Sequence, residues 1–232
     1  MADSSLALVV GANRGIGLGV VKEFLRHGWS VIATARRPGA AAELKSLAAA
    51  NPGKLEIVEL DMTNAGQVDR FAGSLGGKKL DAALINGGVA GPDHMSASRA
   101  TEAETGALMF TNAVAPIRLA RALAGSVREK TGVLAFTSSI MGSVALNTGG
   151  HELYRASKAA LNSLSRGLWP EVKGRGVTLV TLHPGWVRTD MGGPTAPVSV
   201  EDSARGLVAV IERERGKHHH AFIDFMGEEV AW

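Results

Sequence analysis

Short aliphatic and β-branched runs recur along the chain at Leu6–Val10, Ser30–Ala33, Leu55–Leu60, Asp81–Ile85, Gly132–Thr137, Val177–Leu182 and Ala221–Asp224. The runs are continuously apolar rather than alternating, as expected of strands covered on both faces, and the spacers are long enough for crossover helices. The pattern predicts an α/β protein, a doubly wound parallel sheet of about seven strands with helices on both faces. The first spacer sets Ile16, Val20 and Phe24 at four-residue steps with Val21 and Leu25 beside them, the apolar stripe of a helix that opens near Gly15 and stops at His27-Gly28. Ser199-x-x-Asp202 has the form of a capping box at the start of a late helix. No Pro/Gly/Ser-rich linker, repeat or low-complexity tract interrupts the pattern, so residues 1–232 read as one domain.

Composition narrows the picture. With 232 residues, 45% hydrophobic and 20% charged, the chain can bury a substantial core and is not disordered. It has no cysteine, which removes disulfides, thiolate nucleophiles and thiolate-bound zinc, and permits a reducing compartment. Met-Ala-Asp-Ser-Ser lacks a basic leader, and five apolar residues before Gly11 are too few for a signal peptide or a membrane span. A cytoplasmic protein with no membrane association is expected. The 25 basic residues are spread among 22 acidic ones, so the net charge of +3 suits a small anionic ligand as well as a nucleic acid, and no nucleic-acid partner is expected. His218-His219-His220 reads as the entry to the last strand, its residues alternating across it with no accompanying carboxylate, so no metal site is expected.

Two local patterns carry chemistry. Gly11-Ala12-Asn13-Arg14-Gly15-Ile16-Gly17 follows the first strand directly and opens the first helix. A tight turn there aims unpaired helix N–H groups at a diphosphate, and glycines let a cofactor approach the backbone. Tyr154-Arg155-Ala156-Ser157-Lys158 begins a stretch that reads as a long helix, and four-residue spacing puts phenol and ammonium on one face. An ammonium so placed favours phenolate, lowering a pKa of about 10, and lets Tyr154 exchange a proton with a carbonyl oxygen near neutral pH. Tyrosine occurs once in the chain, so no other phenol is available.

The G-x-x-x-G-x-G spacing, the Tyr-x-x-x-Lys pair and Ser138-Ser139-Ile140-Met141-Gly142 after the fifth strand together resemble the short-chain dehydrogenase/reductase family. His183-Pro184-Gly185-Trp186-Val187-Arg188-Thr189-Asp190-Met191-Gly192-Gly193, Tyr154–Asn162 and the closing Asp224…Trp232 resemble its C-factor and sniffer branch, which is similar to carbonyl reductases. The resemblance runs from about Leu6 to the end. It implies a Rossmann-type oxidoreductase that transfers hydride between NADP(H) and a small carbonyl or alcohol substrate, working as a homodimer or homotetramer. By the match, Ser139 holds the substrate oxygen, Tyr154 is the proton donor, Lys158 tunes the phenol and anchors the ribose, and Asn112 distorts its helix and links Lys158 to solvent. Asn86 and Gly87 would face the adenosine half of the cofactor, and Asp61, with Met62, the adenine. Pro184, Gly185, Val187 and Thr189 would contact the nicotinamide. Val10 departs from the Thr or Ser common before the glycine loop, which weakens a loop hydrogen bond. From Ser139 to Tyr154 is 15 residues, two more than usual in the family, and the insertion is expected within Ala145–Glu152, where Gly149-Gly150 supports a bulge.

The end of the second strand, Ala33-Thr34-Ala35-Arg36-Arg37, lacks the acidic residue that binds a ribose 2′-hydroxyl. Arg36, helped by Arg14, offers guanidinium donors to a 2′-phosphate instead, which favours NADPH. Met141, His151, Trp186 and Met191 flank these segments as pocket-lining or core residues. The small residues of the face Ala156, Ala160, Ser163 and Gly167 suit helix pairing between subunits. A cofactor-binding regulatory or signalling protein with little turnover is the alternative on the same fold.

Overall fold

The computed structural model describes residues 5–232. Among these the chain forms seven strands: β1 Leu6–Val10, β2 Ser30–Ala35, β3 Leu55–Glu59, β4 Ala82–Ile85, β5 Val133–Thr137, β6 Thr178–His183 and β7 His220–Asp224. All pair in parallel in the order β3-β2-β1-β4-β5-β6-β7. The helices are α1 Gly15–Arg26, α2 Ala42–Ala50, α3 Ala65–Ser74, α4 Glu102–Met109, α5 Ala115–Leu123, α6 Glu152–Lys173 and α7 Val200–Glu214. The strand order reverses between β1 and β4, the switch point where open α/β sheets bind ligands in the crevice beyond the carboxyl ends of the strands.

The continuous apolar runs have a simple cause. Alternate strand residues point to opposite faces, and both faces are covered. Ala7, Val9, Val31, Leu84 and Leu182 pack with Phe24 of α1 and Leu207 and Ile211 of α7. Leu8, Val10, Ile32, Ile85 and Phe136 pack with Phe71 of α3, Leu123 of α5 and Leu161 of α6. Only β3, at one edge, mixes buried with exposed positions. At the amino end of the sheet the buried Asp81 carboxylate accepts from the Leu6 N–H at 3.0 Å, Arg128 Nε at 2.8 Å and Arg215 at 2.8 Å.

Two expectations need correction. Ser199 does cap α7, accepting from the Asp202 N–H at 2.9 Å, but its hydroxyl donates to the Asp202 carboxylate at 2.7 Å instead of leaving it for the cap backbone. The histidine triplet is accompanied by a carboxylate, because the end of α7 passes close to it. Buried Glu214 takes His219 Nε2 at 2.6 Å and Lys217 at 2.9 Å. Nor do the three alternate along a strand, since β7 starts at His220 and His218 Nε2 lies 2.6 Å from the Lys130 carbonyl. Among the described residues no group of three or more potential ligands could hold a metal ion, and no helix is long and apolar enough to cross a membrane.

The other sheet edge, β7, is closed by its own continuation. Val230 N–H donates to the Phe222 carbonyl at 2.8 Å, and the Trp232 ring lies 4.7 Å from His220 and 5.4 Å from Phe222 between centroids. Burial, with Arg166 and His219 nearby, holds the His220 imidazole down to about 4 from an ordinary 6.5. Burial does the same to His183, against a weaker pull from Asp224. The unfolded chain therefore takes up protons first as pH falls, so stability present above about 6.5 is lost toward 4. We expect the melting temperature to fall across that window, and to fall less steeply in His220→Gln, as read by thermal melts over a pH series.

Candidate active site

The glycine loop owes its shape to close backbone contact. Gly11 has φ +77°, and a Cβ at Gly17 would lie 2.2 Å from the Gly11 oxygen, so the turn and the first turn of α1 touch as no other residue allows. Polar side chains from neighbouring strands hold the loop. The Thr34 hydroxyl accepts from the Gly11 N–H at 3.4 Å, and the Thr34 carbonyl from Ala12 N–H at 2.8 Å. Thr34 thus supplies a loop bond that Val10 cannot. It was legible only as a lone polar residue in an apolar run. Asn86 Nδ2 donates to the Gly11 carbonyl at 3.3 Å, and its Oδ1 accepts from the Thr137 hydroxyl at 2.9 Å, which ties the loop to the end of β5. Asn13 and Arg14 are exposed and no side chain caps α1, so its leading N–H groups face the crevice mouth.

Opposite the loop, residues 184–198 follow β6. The Ser203 hydroxyl donates to the Pro184 carbonyl at 2.6 Å, Arg188 donates to the carbonyls of Ala196 and Pro197 at 2.9 Å, and Gly192 N–H donates to the Thr189 hydroxyl at 3.1 Å. Gly185 and Val187 lie within this braced segment, and Trp186 and Met191 are exposed on it. Thr189 lies against Gly15, and Asp190 forms an ion pair with Arg14. Arg14 therefore does not stand free beside Arg36. Its guanidinium reaches across the crevice to a residue 176 positions away.

Arg36 is exposed at the end of β2, and its charge acts on Asp61 after β3. Burial pushes the Asp61 carboxyl up, but bonds from the Thr63 hydroxyl (2.6 Å) and Thr63 N–H (2.9 Å), with Arg36, hold it below its ordinary value. Asp61 does not cap α3; Asn64 does. The Met62 carbonyl accepts from Arg118 at 3.0 Å, and the Met62 side chain lies against Gly87.

Ser139, Tyr154 and Lys158 meet at the end of β5. Ser139 accepts the Met141 N–H at 3.1 Å and lies close enough to the Tyr154 phenol to pull its pKa down. Lys158, 3% exposed, donates to the Thr137 carbonyl at 3.0 Å and lies 5.7 Å from the Tyr154 ring centroid. The expected acidification of the phenol is not what the protein alone produces. Burial pushes Tyr154 up to about 12, only partly opposed by Ser139, and burial lowers Lys158 to about 8. Both charged forms lose hydration, and at that spacing the ammonium does not compensate the phenolate.

Asn112 occupies a π-helical turn, Phe110–Val114, between α4 and α5. Pro116 has no N–H to close the α-helical bond to the Asn112 carbonyl, and the ladder slips to a bond from Ala115 N–H to Phe110 O. The buried Asn112 carboxamide exchanges two 2.8 Å bonds with the backbone of Val89 and donates to the Ser157 hydroxyl at 3.0 Å. Both of its N–H donors are thus spent on protein, and Oδ1 takes the Val89 N–H with one of its two lone pairs. Asn112 and Lys158 close on Gly88, where a Cβ would lie 3.3 Å from Asn112 Oδ1 and 3.4 Å from Lys158 Nζ.

A parallel sheet with a glycine turn at its switch point and a Ser-Tyr-Lys cluster beside it defines a dinucleotide-type oxidoreductase site. The short chain dehydrogenase family model matches residues 5–198, and the chain belongs to that family, in its carbonyl-reductase-like branch. It is 44% identical to C-signal of Myxococcus xanthus over 125 residues, 52% of this chain and 74% of that protein. The structure of a carbonyl reductase from Pseudomonas aeruginosa PAO1 in complex with NADP is 43% identical, with a TM-score of 0.92 covering 99% of this chain and 100% of that one. Carbonyl reductase Sniffer of D. melanogaster is 31% identical, with a TM-score of 0.90 covering 99% of both chains.

Because Tyr154 is the single tyrosine, tyrosinate absorbance near 295 nm reports on it alone. Its appearance in the folded, cofactor-free protein is expected to centre near pH 12, well above the denatured chain at about 10. A native midpoint at or below the denatured one would refute the burial account.

Proposed function

We propose that the protein is an NADP(H)-dependent reductase of ketones or aldehydes, with alcohol oxidation as the reverse reaction. The observation that carries this reading is the convergence of Ser139, Tyr154 and a buried Lys158 at the end of β5, with Lys158 Nζ 5.7 Å from the Tyr154 ring centroid and bonded to the Thr137 carbonyl.

The residues present suit the cofactor. The Gly11–Gly17 turn and the uncapped start of α1, with Asn13, Gly15 and Ile16, would hold the diphosphate. Arg36 would hold the 2′-phosphate, and Arg14 would join it only by leaving Asp190. Asp61 and Met62 would bound the adenine, and Asn86 and Gly87 the adenosine. Pro184, Gly185, Val187 and Thr189 would meet the nicotinamide, and Tyr154 and Lys158 the ribose. When bound, NADPH supplies a hydride to the carbonyl carbon. Tyr154 gives its proton to the carbonyl oxygen, and Ser139 donates a hydrogen bond that steadies the charge developing there. Lys158, with a pKa of about 8, is mostly protonated at neutral pH and sets a positive field near the phenol. Asn112 supports Lys158 through the shared wall at Gly88. The exposed small residues Ala156, Ser163 and Gly167 of α6, with half-buried Ala160, support pairing of subunits.

The likeness to C-signal supports a second reading, a cofactor-binding regulatory protein with little turnover. NADPH oxidation with 4-nitrobenzaldehyde and 2,3-butanedione separates the two. Turnover lost by about 10²–10⁴-fold in Tyr154→Phe, with NADPH binding retained, supports the reductase. NADPH binding without turnover favours the regulator. Arg36→Ala is expected to weaken NADPH much more than NADH in a fluorescence titration, and equal weakening would overturn the 2′-phosphate assignment.

A further inference from the structure

Tyr154, Lys158 and Asn162 follow one another at four-residue steps on α6 and so share one face of the helix. Asn162 is 4% exposed and touches neither end of the Tyr-Lys pair in a hydrogen bond. Its carboxamide is spent on the turn that carries Ser139. Asn162 Oδ1 accepts from the Ser138 hydroxyl at 2.6 Å, and Asn162 Nδ2 donates to the Gly142 carbonyl at 3.1 Å. These partners lie one residue before Ser139 and three residues after it. Between them the turn is pressed flat on the helix, since a Cβ at Gly142 would lie 2.8 Å from the Lys158 carbonyl carbon.

We infer that Asn162 is a positioning residue for the proposed reaction, clamping the Ser139 turn to the helix that bears Tyr154 and Lys158. Ser139 accepts the Met141 N–H from within the same turn, so that bond directs the hydroxyl proton away from the turn. The direction of that proton is therefore set by where the turn sits, and the turn is bolted at both ends by one planar group. An amide is the side chain that serves both bolts, because it carries an acceptor and a donor together. An aspartate would keep the bond from Ser138 and oppose its charge to the Gly142 carbonyl.

The inference rests on the reductase reading, and its test separates the two. In Asn162→Ala and Ser138→Ala, kcat for 4-nitrobenzaldehyde is expected to fall by about 10–100-fold while KM for NADPH stays within about twofold, since misplacement of a reacting group costs the chemical step. Ser138→Thr, which keeps the hydroxyl, is expected to recover most of what Ser138→Ala loses. A readout independent of turnover is the ¹³Cζ resonance of labelled tyrosine, a single line because the chain has one tyrosine. It should shift in Asn162→Ala and Ser138→Ala as Ser139 moves relative to the phenol. Thr178→Val serves as the control for buried polar loss. The Thr178 hydroxyl accepts the His218 N–H at 3.0 Å at the opposite end of the sheet, so its loss should lower the melting temperature without moving kcat or the resonance. Should Asn162→Ala fail to fold, Ser138→Ala carries the same comparison. An unmoved resonance with wild-type kcat in the clamp variants, or an equal fall of kcat in Thr178→Val, overturns the clamp. If Tyr154→Phe keeps turnover, the reductase reading falls, while the resonance still decides whether Asn162 and Ser138 hold Ser139 to the phenol.

Discussion

A buried ammonium is the element on which the site turns. Lys158 gives up water to sit beneath the end of β5, where it donates a hydrogen bond to the Thr137 carbonyl at 3.0 Å. A cation in such a place is costly unless it is held, and the cost shows in a pKa drawn down to about 8. The helix that carries it is held there by apolar contacts, chiefly Leu161 and Leu168 against the sheet. Burial of those side chains is what forces Lys158 inward, and with it places Tyr154 beside Ser139. Hydrophobic packing thus sets the position of the polar chemistry.

The two ends of the sheet divide the labour. At the amino end, Asp81 is surrounded by the Leu6 N–H, Arg128 and Arg215, and Arg215 in turn lies over Trp29. There one buried carboxylate is held by two guanidiniums and a backbone N–H. At the carboxyl end, Tyr154, Lys158 and His183 are each shifted away from their ordinary ionisation by burial. Burial also lowers His220 at the start of β7, so a shifted group alone does not mark the site. At the carboxyl end the shifted phenol and lysine lie together at the end of β5, in the sheet whose order reverses at an uncapped helix start.

Around that pair the walls of the crevice come from separate strand ends: Thr34, Asn86 and Thr137 brace the glycine turn, and Asn112 braces the segment after β4. No one of these residues forms the site alone. Each spends its polar atoms on backbone or on another side chain, so the loops keep their shape with few contacts of their own.

Much of this was readable in the linear chain. Continuous apolar runs forecast strands buried on both sides, because the alternation of side chains makes two-sided burial visible in one dimension. The glycine turn and the Tyr154–Lys158 pair were equally readable, since both depend on residues a turn or less apart. What the chain could not disclose was the outcome of contacts between distant segments. Arg14 finds Asp190, His219 finds Glu214, and Asn162 finds Ser138, each pairing decided by how helices seat on the sheet. The direction of the Tyr154 shift belongs to the same class: spacing alone suggested acidification by Lys158, and burial reversed it. The sequence by itself determined the strands, the turn and the local placement of phenol and lysine, because those follow from short-range periodicity and backbone sterics. Only the tertiary structure decided which charges are matched and which are stripped of water, because desolvation is a property of the packed whole.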